Sequence, residues 1–479
     1  MKKTGLVVSL FSVLLSLPGF SEDIPRITLE AYLEEAVKNH PSFVSSKLSV
    51  DIEKKRAESF LGEQDWSYAV GPYYSYLGES SASELDSLAE AVHLLGAEGG
   101  LNKTIWPTGG RVGFLLSSAY SNIERTYDDY KYYRQKVGVT YTQPLLQNFG
   151  GRLSRFAYEQ SGYQVDSARL SSLENREGFI LDFAELFLSW VGLAEKIRIS
   201  GEGYDLAREQ LDQVRERYRS NMTERVDQLR AEDAAFISEQ NLLVLESRLK
   251  AKQAELAVFT GMEEIYRAEP EFELYSLQEL PEIQPALSGL KQRSRALEAM
   301  DIYIDQLQHR RRSLLERKKP QLNLNLSASL SEVDEELAES FKINKPDGFV
   351  AIELSAPLGN RSVKAELEKV DLEIEQLQKD KEGLEISLEA DLRSIMIQIR
   401  EMEKVLALNR RRIESAKEKR EEELKLYNQG RGELTFVLQS RESEESAKMI
   451  YAENSCLYHL YVLQYRALMD ELLPGQSGS

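Results

Sequence analysis

Two stretches of this chain are too long and too regular to be anything but extended helices. From Arg152 to Arg219 no proline interrupts the sequence. Phe179, Phe183, Phe187, Val191 and Ala194 recur there at steps of four and three, with Trp190 and Ile197 filling in. From Asn360 to Asn428 the same period is carried by Leu384, Leu388, Leu392, Ile395, Ile399, Met402 and Leu406. At 1.5 Å per residue, each stretch of about 68 residues predicts a rod of about 100 Å. A compact enzyme needs no such rod, and two of matched length predict an internal repeat.

The rods override the about three compact domains that length alone would suggest. Charged residues make up 29% of the chain and the formal charge is −19, which is the surface of solvated helices and not the basic face that binds nucleic acid. At the N-terminus, Lys2 and Lys3 precede an apolar run from Leu6 to Leu17, then Pro18 and Gly19-Phe20-Ser21. That is the pattern of an export signal cut after Ser21, with a run too short to span a bilayer comfortably. No cysteine follows the cut, so acylation is not expected. The single cysteine, Cys456, cannot form an internal disulfide and reads as a small core residue on a helix. No later segment is apolar enough for a transmembrane helix. If this exported chain enters a membrane, it must do so as a β-barrel.

In order, a first helix is expected from about Thr28 to Glu63, capped by Thr28 and bent or interrupted at Pro41. Between Trp66 and Leu146 the period changes to two. Tyr68, Tyr73, Tyr74 and Tyr76 crowd the first segment, and Pro107-Thr108-Gly109-Gly110 marks a turn before Val112, Phe114 and Leu116. Val137, Val139 and Tyr141 then alternate with Gly138, Thr140 and Thr142. Residues 79–90 and 121–133 read as polar loops. Strands of about ten residues with two-faced alternation fit a transmembrane barrel, and equally a soluble two-sided sheet. Tyrosines near strand ends favour the barrel. After the first rod, Asn221 suits a helix stop and Thr223 a cap for a helix from Glu224 to Thr260.

Residues 269–284 read as an irregular connector, and then the pattern restarts. A helix is expected from Pro285 to Lys319. A strand follows with Leu322, Leu324, Leu326, Ala328 and Leu330 on one face, then an acidic loop and a second strand with Val350, Ile352 and Leu354. The second rod, a turn at Gln429-Gly430-Arg431-Gly432 and a last helix complete it. The expected organisation is therefore a leader (1–21), a first repeat (22–268), the connector (269–284), a second repeat (285–473) and a tail (474–479). The fold class is mixed and mainly α, with long antiparallel helical hairpins and two blocks of strands.

Chemistry of the catalytic kind finds little support. His40, His93, His309 and His459 are scattered, with no metal-ligand spacing. Residues 99–104 look superficially like a phosphate loop but lack the glycine before the lysine. Neither a cofactor nor a metal is implied, and the expectation is that the chain is not an enzyme.

The chain resembles the TolC-like outer-membrane efflux proteins over nearly its whole mature length. The resemblance rests on the entry Leu29-Glu30-Ala31 with Ala36-Val37-Lys38-Asn39-His40-Pro41 and on the junctions Gln143-Pro144-Leu145-Leu146…Gly150-Gly151 and Ala356-Pro357-Leu358-Gly359. The segments Val226-Asp227-Gln228-Leu229-Arg230-Ala231-Glu232 and Thr435-Phe436-Val437-Leu438-Gln439-Ser440 add to it. No one motif is highly specific; the duplicated order behind a signal peptide is.

The resemblance implies a homotrimer in the outer membrane of a Gram-negative-type bacterium. Its strands would close one shared β-barrel against lipid, and its helices an α-barrel through the periplasm. It would serve as the passive exit duct of a tripartite efflux or type I secretion system, with a periplasmic adaptor and an inner-membrane pump of RND, ABC or MFS type. The chain departs from the family in strand number, with four candidates in the first half and two in the second where the family usually has two in each. The extra pair either enlarges the barrel or is loop ornament. Phe436 and Gln439 also stand where some members carry an acidic ring.

At the hairpin tips, Arg225, Asp227, Arg230, Arg431 and Glu433 are candidates for a gate of cross-helix ion pairs. Ordinary helix-end charges explain them as well, each pair contributing up to about 1 kcal/mol. Asn221, Met222, Gly430 and Gly432 are candidate adaptor contacts. The rival reading is a soluble periplasmic coiled-coil adaptor or structural rod, which would not need two strand blocks in a duplicated chain.

Overall fold

The computed structural model describes residues 25–85, 89–125 and 127–473; the expected leader and tail lie outside the described residues. In chain order the first half runs β1 (Arg26–Thr28), α1 (Leu29–Asn39), α2 (Pro41–Ser59), β2 (Ser67–Gly78), α3 (Glu79–Leu85), β3 (Ala89–Ile105), β4 (Gly110–Arg125), β5 (Tyr130–Pro144), α4 (Phe156–Arg219) and α5 (Arg225–Thr260). There follow β6 (Glu269–Glu271), α6 (Ile283–Arg293), α7 (Arg295–Arg317), β7 (Gln321–Asp334), α8 (Leu337–Ser340), β8 (Lys345–Ser355), α9 (Arg361–Asn428) and α10 (Leu434–Leu468). The fold is mainly helical, with helices of 64 and 68 residues at α4 and α9 and a six-stranded sheet. Contacts divide the chain into two units, each drawing on both halves of the sequence.

The first unit comprises Met1–His40, Asp182–Gln278 and Ile399–Val462. Its aromatic period along α4 is a packing face: Phe187 and Trp190 are fully buried, and Phe187 lies 5.4 Å from the Tyr32 ring and 5.7 Å from Trp190. Thr28 caps α1 by accepting from the Ala31 amide, and His40 takes an extended conformation ahead of Pro41, where the expected first helix divides in two. Gly261, at φ 74°, ends α5, and the Asn39 side chain donates to the Thr260 carbonyl. The connector begins with a strand that the sequence reading missed, because β1 and β6 are three residues each and pair in parallel. Cys456 packs its sulfur on Gly192, and burial pushes the thiol up to about 11.

The second unit comprises Pro41–Leu181, Glu279–Gln398 and Leu463–Ser479. The helix expected over residues 285–319 is two helices, broken at Ser294, which is extended and caps α7 by accepting from the Leu297 amide. The break has a cause. It frees the Arg295 amide to donate to Asp470, while the Arg295 guanidinium pairs with Glu174 at 2.6 Å, Asp470 at 3.0 Å and Glu177. Arg295 is buried, so three carboxylates that could otherwise suggest a cation site are instead neutralised by a protein cation.

All six strands of the sheet run antiparallel to their neighbours in the order β2-β3-β4-β5-β7-β8. They are 11 to 17 residues long, longer than the expected ten. β4 extends to Arg125 and β5 starts at Tyr130, inside what read as a polar loop. Tyr120 and Tyr133, directly paired at 5.1 Å between rings, hold that extension together.

Candidate functional site

The sheet and the helical tips are the two places where the sequence concentrates residues without an ordinary core to serve. The sheet register shows that one face carries successive apolar rows across the six strands, up to a row that holds Ser118, Gln135 and Glu332. Val70 lies in the row Gly99, Leu116, Val137 and Leu330, and the next rows add Leu101, Phe114 and Val139. In β7 and β8 the face continues through Leu324 with Ile352 and Leu326 with Val350. These side chains are not covered: Val70, Val350 and Ile352 are 73%, 72% and 68% exposed.

Aromatic residues border this apolar band at both ends. At the end from which the helices emerge stand Trp66, Tyr68 and Tyr141, with the Lys103 ammonium 5.6 Å above the Trp66 ring. At the opposite end stand Tyr74, Tyr76, Tyr120 and Tyr133. From Tyr68 to Tyr76 the strand covers about 26 Å, close to the apolar band of a membrane barrel, about 25 Å tall between aromatic girdles.

The other face is mainly small and polar, with Tyr73, Leu115 and Phe349 as larger side chains on it. Gly71, Gly100, Gly113 and Gly138 share it with Asn102, Ser117, Thr140, Ser327 and Ser329, and with the charges Arg111, Lys136 and Asp347. At the end away from the helices, α3 sets Ala82 among Val92 and Ile123 of this second face. α8 buries Ser340 against Gln135 of the first. Neither short helix was legible, since each spans seven residues or fewer.

The turn between β3 and β4 is fixed to the start of α4. Gln143 donates to the Thr108 carbonyl at 2.9 Å and accepts from Tyr141 at 2.6 Å. Gly151, at φ 69°, lies so close to the Trp106 carbonyl that a Cβ would fall 1.6 Å from its oxygen. Asn148, itself left-handed, accepts from the amides of Leu153 and Ser154.

The helical tips belong to the first unit. In both hairpins a tyrosine stands three residues ahead of a left-handed stop: Tyr218 before Asn221 at φ 56°, and Tyr427 before Gly430 at φ 70°. In both, the next amide reaches back five residues, Met222 to Arg217 and Arg431 to Leu426. The two hairpins share a core of Ala207, Leu211 and Val214 with Ala231, Ala235, Tyr427, Leu434 and Val437.

The charges fall differently from the expectation. Asp227 pairs with Arg230 in its own helix at 3.2 Å, and its carboxylate accepts from the Thr223 hydroxyl. Thr223 is therefore not the cap; Glu224 holds that position without a side-chain bond. Among the described residues, no ion pair within 4.0 Å joins Arg225, Arg431 or Glu433 to another side chain of this one chain. Cross-helix pairs near the tips include Arg215–Glu232 at 3.1 Å and Arg420–Glu444 at 2.5 Å. Gln228 and Arg215 hold the Glu232 carboxyl below the usual range. Burial pushes Glu444 up, but its bonds from Arg420 and Lys448 outweigh that and hold it down.

At the tips, Arg217, which the sequence reading did not single out, ties one hairpin to the other; farther back, Lys196–Glu453, Lys448–Glu202 and Arg441–Gln210 also join them. Arg217 donates to the Tyr427 carbonyl at 3.2 Å and to Asn428 Oδ1 at 2.8 Å, with its guanidinium 4.6 Å from the Tyr427 ring centre. Aligning the two tips on their tyrosines would have pointed to this neighbourhood. Asn221 and Met222 are exposed at the first turn; at the second, Gly430 is exposed while Gly432 packs on the backbone of Tyr427.

This fold recurs in solved outer-membrane channels. CusC, described with the conformational changes of folding and transmembrane channel formation, matches with a TM-score of 0.69 and 11% identity over 92% of this chain and 91% of its own. The outer membrane protein VceC of Vibrio cholerae matches at 0.65 and 12% identity, over 93% and 95%. The CmeC outer membrane channel of Campylobacter jejuni matches at 0.66 and 12% identity, over 100% and 96%. No family profile and no curated protein sequence matches the chain. At these identities the likeness is one of fold, and the fold is that of outer-membrane channels.

Proposed function

We propose that three copies of this chain form a passive duct across the outer membrane, with their strands closing one barrel and their helices lining a periplasmic conduit. The observation that carries the reading is the uncovered apolar face of the sheet, bordered by aromatic residues at both ends, on a fold otherwise found in outer-membrane channels. A water-soluble sheet would leave residues such as Val350 and Ile352 facing water, at a cost of about 25 cal/mol for each Å² of apolar surface. Hydrocarbon removes that cost. The soluble coiled-coil or rod reading has no use for the band.

On this reading residues 1–21 direct export and are removed, without lipidation. The duct takes cargo from an inner-membrane pump through a periplasmic adaptor, in tripartite efflux or type I secretion, and supplies no energy itself. The adaptor would meet Asn221, Met222, Gly430 and Gly432 at the turns. Arg225, Asp227, Arg230, Arg431 and Glu433 would bear on the entrance chiefly through neighbouring copies, since inside one copy the one pair among them, Asp227–Arg230, lies within a single helix.

The test is to express the full chain in a Gram-negative host, extract it from membranes in detergent and reconstitute it in a planar bilayer. Discrete single-channel conductance from an outer-membrane fraction is the expected result. Recovery of the chain as a water-soluble protein that opens no channel would overturn the duct.

A further inference from the structure

We propose that all six strands of each copy belong to the barrel wall, and that the wall closes by β2 of one copy pairing with β8 of the next. This rests on the trimeric duct above, and six strands from each of three copies make a barrel of eighteen.

The first argument concerns β3 and β4, the pair that could have been loop ornament. An ornamental hairpin has no reason to keep the membrane pattern, and this one keeps it in register. Leu101 pairs with Phe114 and Gly99 with Leu116 on the apolar face, while Asn102 and Gly113 share the polar one. Its turn is also anchored in the sheet, through Gln143 on the Thr108 carbonyl and the close seat of Gly151 on Trp106. Peeling the hairpin away would break both.

The second argument concerns the edges. β2 and β8 are the end strands of the sheet, 12 and 11 residues long, and each has backbone groups along one side with no partner strand. Long unblunted edges are templates for pairing with another chain. One copy cannot satisfy its own edges by closing on itself, since about eight strands already leave an interior only wide enough for side chains. Another copy can. Because the strand count is even, β2 and β8 run in opposite directions, so β8 of one copy meets β2 of the next antiparallel. The apolar residues Val70 and Tyr74 then continue the face carried by Val350 and Ile352.

The consequence is the bore. Barrel diameter grows about linearly with strand number, and barrels of 16–18 strands leave an aqueous channel. This one would be about half again as wide as a barrel to which each copy gives four strands. Its wall would be lined by the small polar face, with Gly71, Gly100 and Gly138 keeping side chains out of the bore. Such a duct suits broad polar cargo, such as bulky hydrophilic solutes or an unfolded polypeptide.

Two measurements test this on the full-length protein. In the first, Val70→Cys is combined in turn with Gly348→Cys, Val350→Cys and Ile352→Cys, and oxidised chains are run without reducing agent. A disulfide-linked trimer in at least one combination is expected. The same β8 series is then combined with Leu116→Cys on β4; cross-linking there and not at Val70→Cys would mean that β8 meets β4, and would overturn the proposal. In the second, the detergent-extracted particle is imaged by electron microscopy. A three-fold particle with eighteen strands is expected. A three-fold particle with twelve strands, with either β3–β4 or β2–β3 outside the wall, would overturn this inference and leave the duct intact. A two-fold particle, or no membrane particle, would overturn the trimeric duct itself.

Discussion

Gly150 and Gly151 stand side by side with almost the same backbone, at φ 70° and 69°, yet only one is confined by its surroundings. Around Gly150 no atom lies within 4 Å of a would-be Cβ, whereas at Gly151 the Trp106 carbonyl oxygen would be 1.6 Å away. Gly150→Ala should therefore incur only left-handed strain, about 1–2 kcal/mol. Gly151→Ala must also push the β3–β4 turn off its seat, and should destabilise by more than about 4 kcal/mol. Urea unfolding of the two variants in detergent, followed by tryptophan fluorescence, separates them; equal losses would mean that the turn is not held there. The Gly-Gly pair was legible in the sequence as a junction. Which glycine carries the constraint was not, because the constraint is a carbonyl 45 residues earlier in the chain.

At the scale of elements, periodicity served the long helices well because α4 and α9 repeat their apolar stripe over many turns. It failed where one residue decides. The stretch 285–319 is helical by composition on both sides of Ser294, and the break comes from what Arg295 meets: the carboxylates of Glu174, Glu177 and Asp470, distant in sequence. Removing that guanidinium would leave Glu177 and Asp470 with their charges uncompensated. Arg295→Met is thus expected to destabilise by about 3–5 kcal/mol. Glu174→Gln, at a carboxylate about half exposed, should shift stability by less than about 1 kcal/mol. Thermal melts followed by circular dichroism would show it, and a melt unchanged in Arg295→Met would make the network incidental. The strands followed the same logic. Their alternation was legible, but their true ends were hidden in tyrosine-rich stretches that read as loops until cross-strand partners were known.

At the scale of the whole molecule, the proposed duct raises the question of what would keep its helical entrance narrow. The tip charges read from the sequence suggested ion pairs between helices, but Asp227 spends its charge on Arg230 in the same helix. At the tips the hairpins are linked through Arg217, by two hydrogen bonds and its guanidinium over the Tyr427 ring. A planar guanidinium can serve both acceptors while lying on the ring, which an ammonium cannot. Each of these contacts contributes about 1 kcal/mol, and a three-fold assembly would repeat the set in every copy. Loosening it should let α4 and α9 part at their ends without disturbing the shared core of Leu211, Val214 and Val437. In bilayer recordings, Arg217→Ala is expected to raise single-channel conductance and Arg217→Lys to raise it partly. Asp227→Ala, which breaks only a pair within one helix, should change it little. If Asp227→Ala combined with Arg431→Ala opened the channel while Arg217→Ala did not, the restraint would lie between copies, in charges that one chain alone leaves apart.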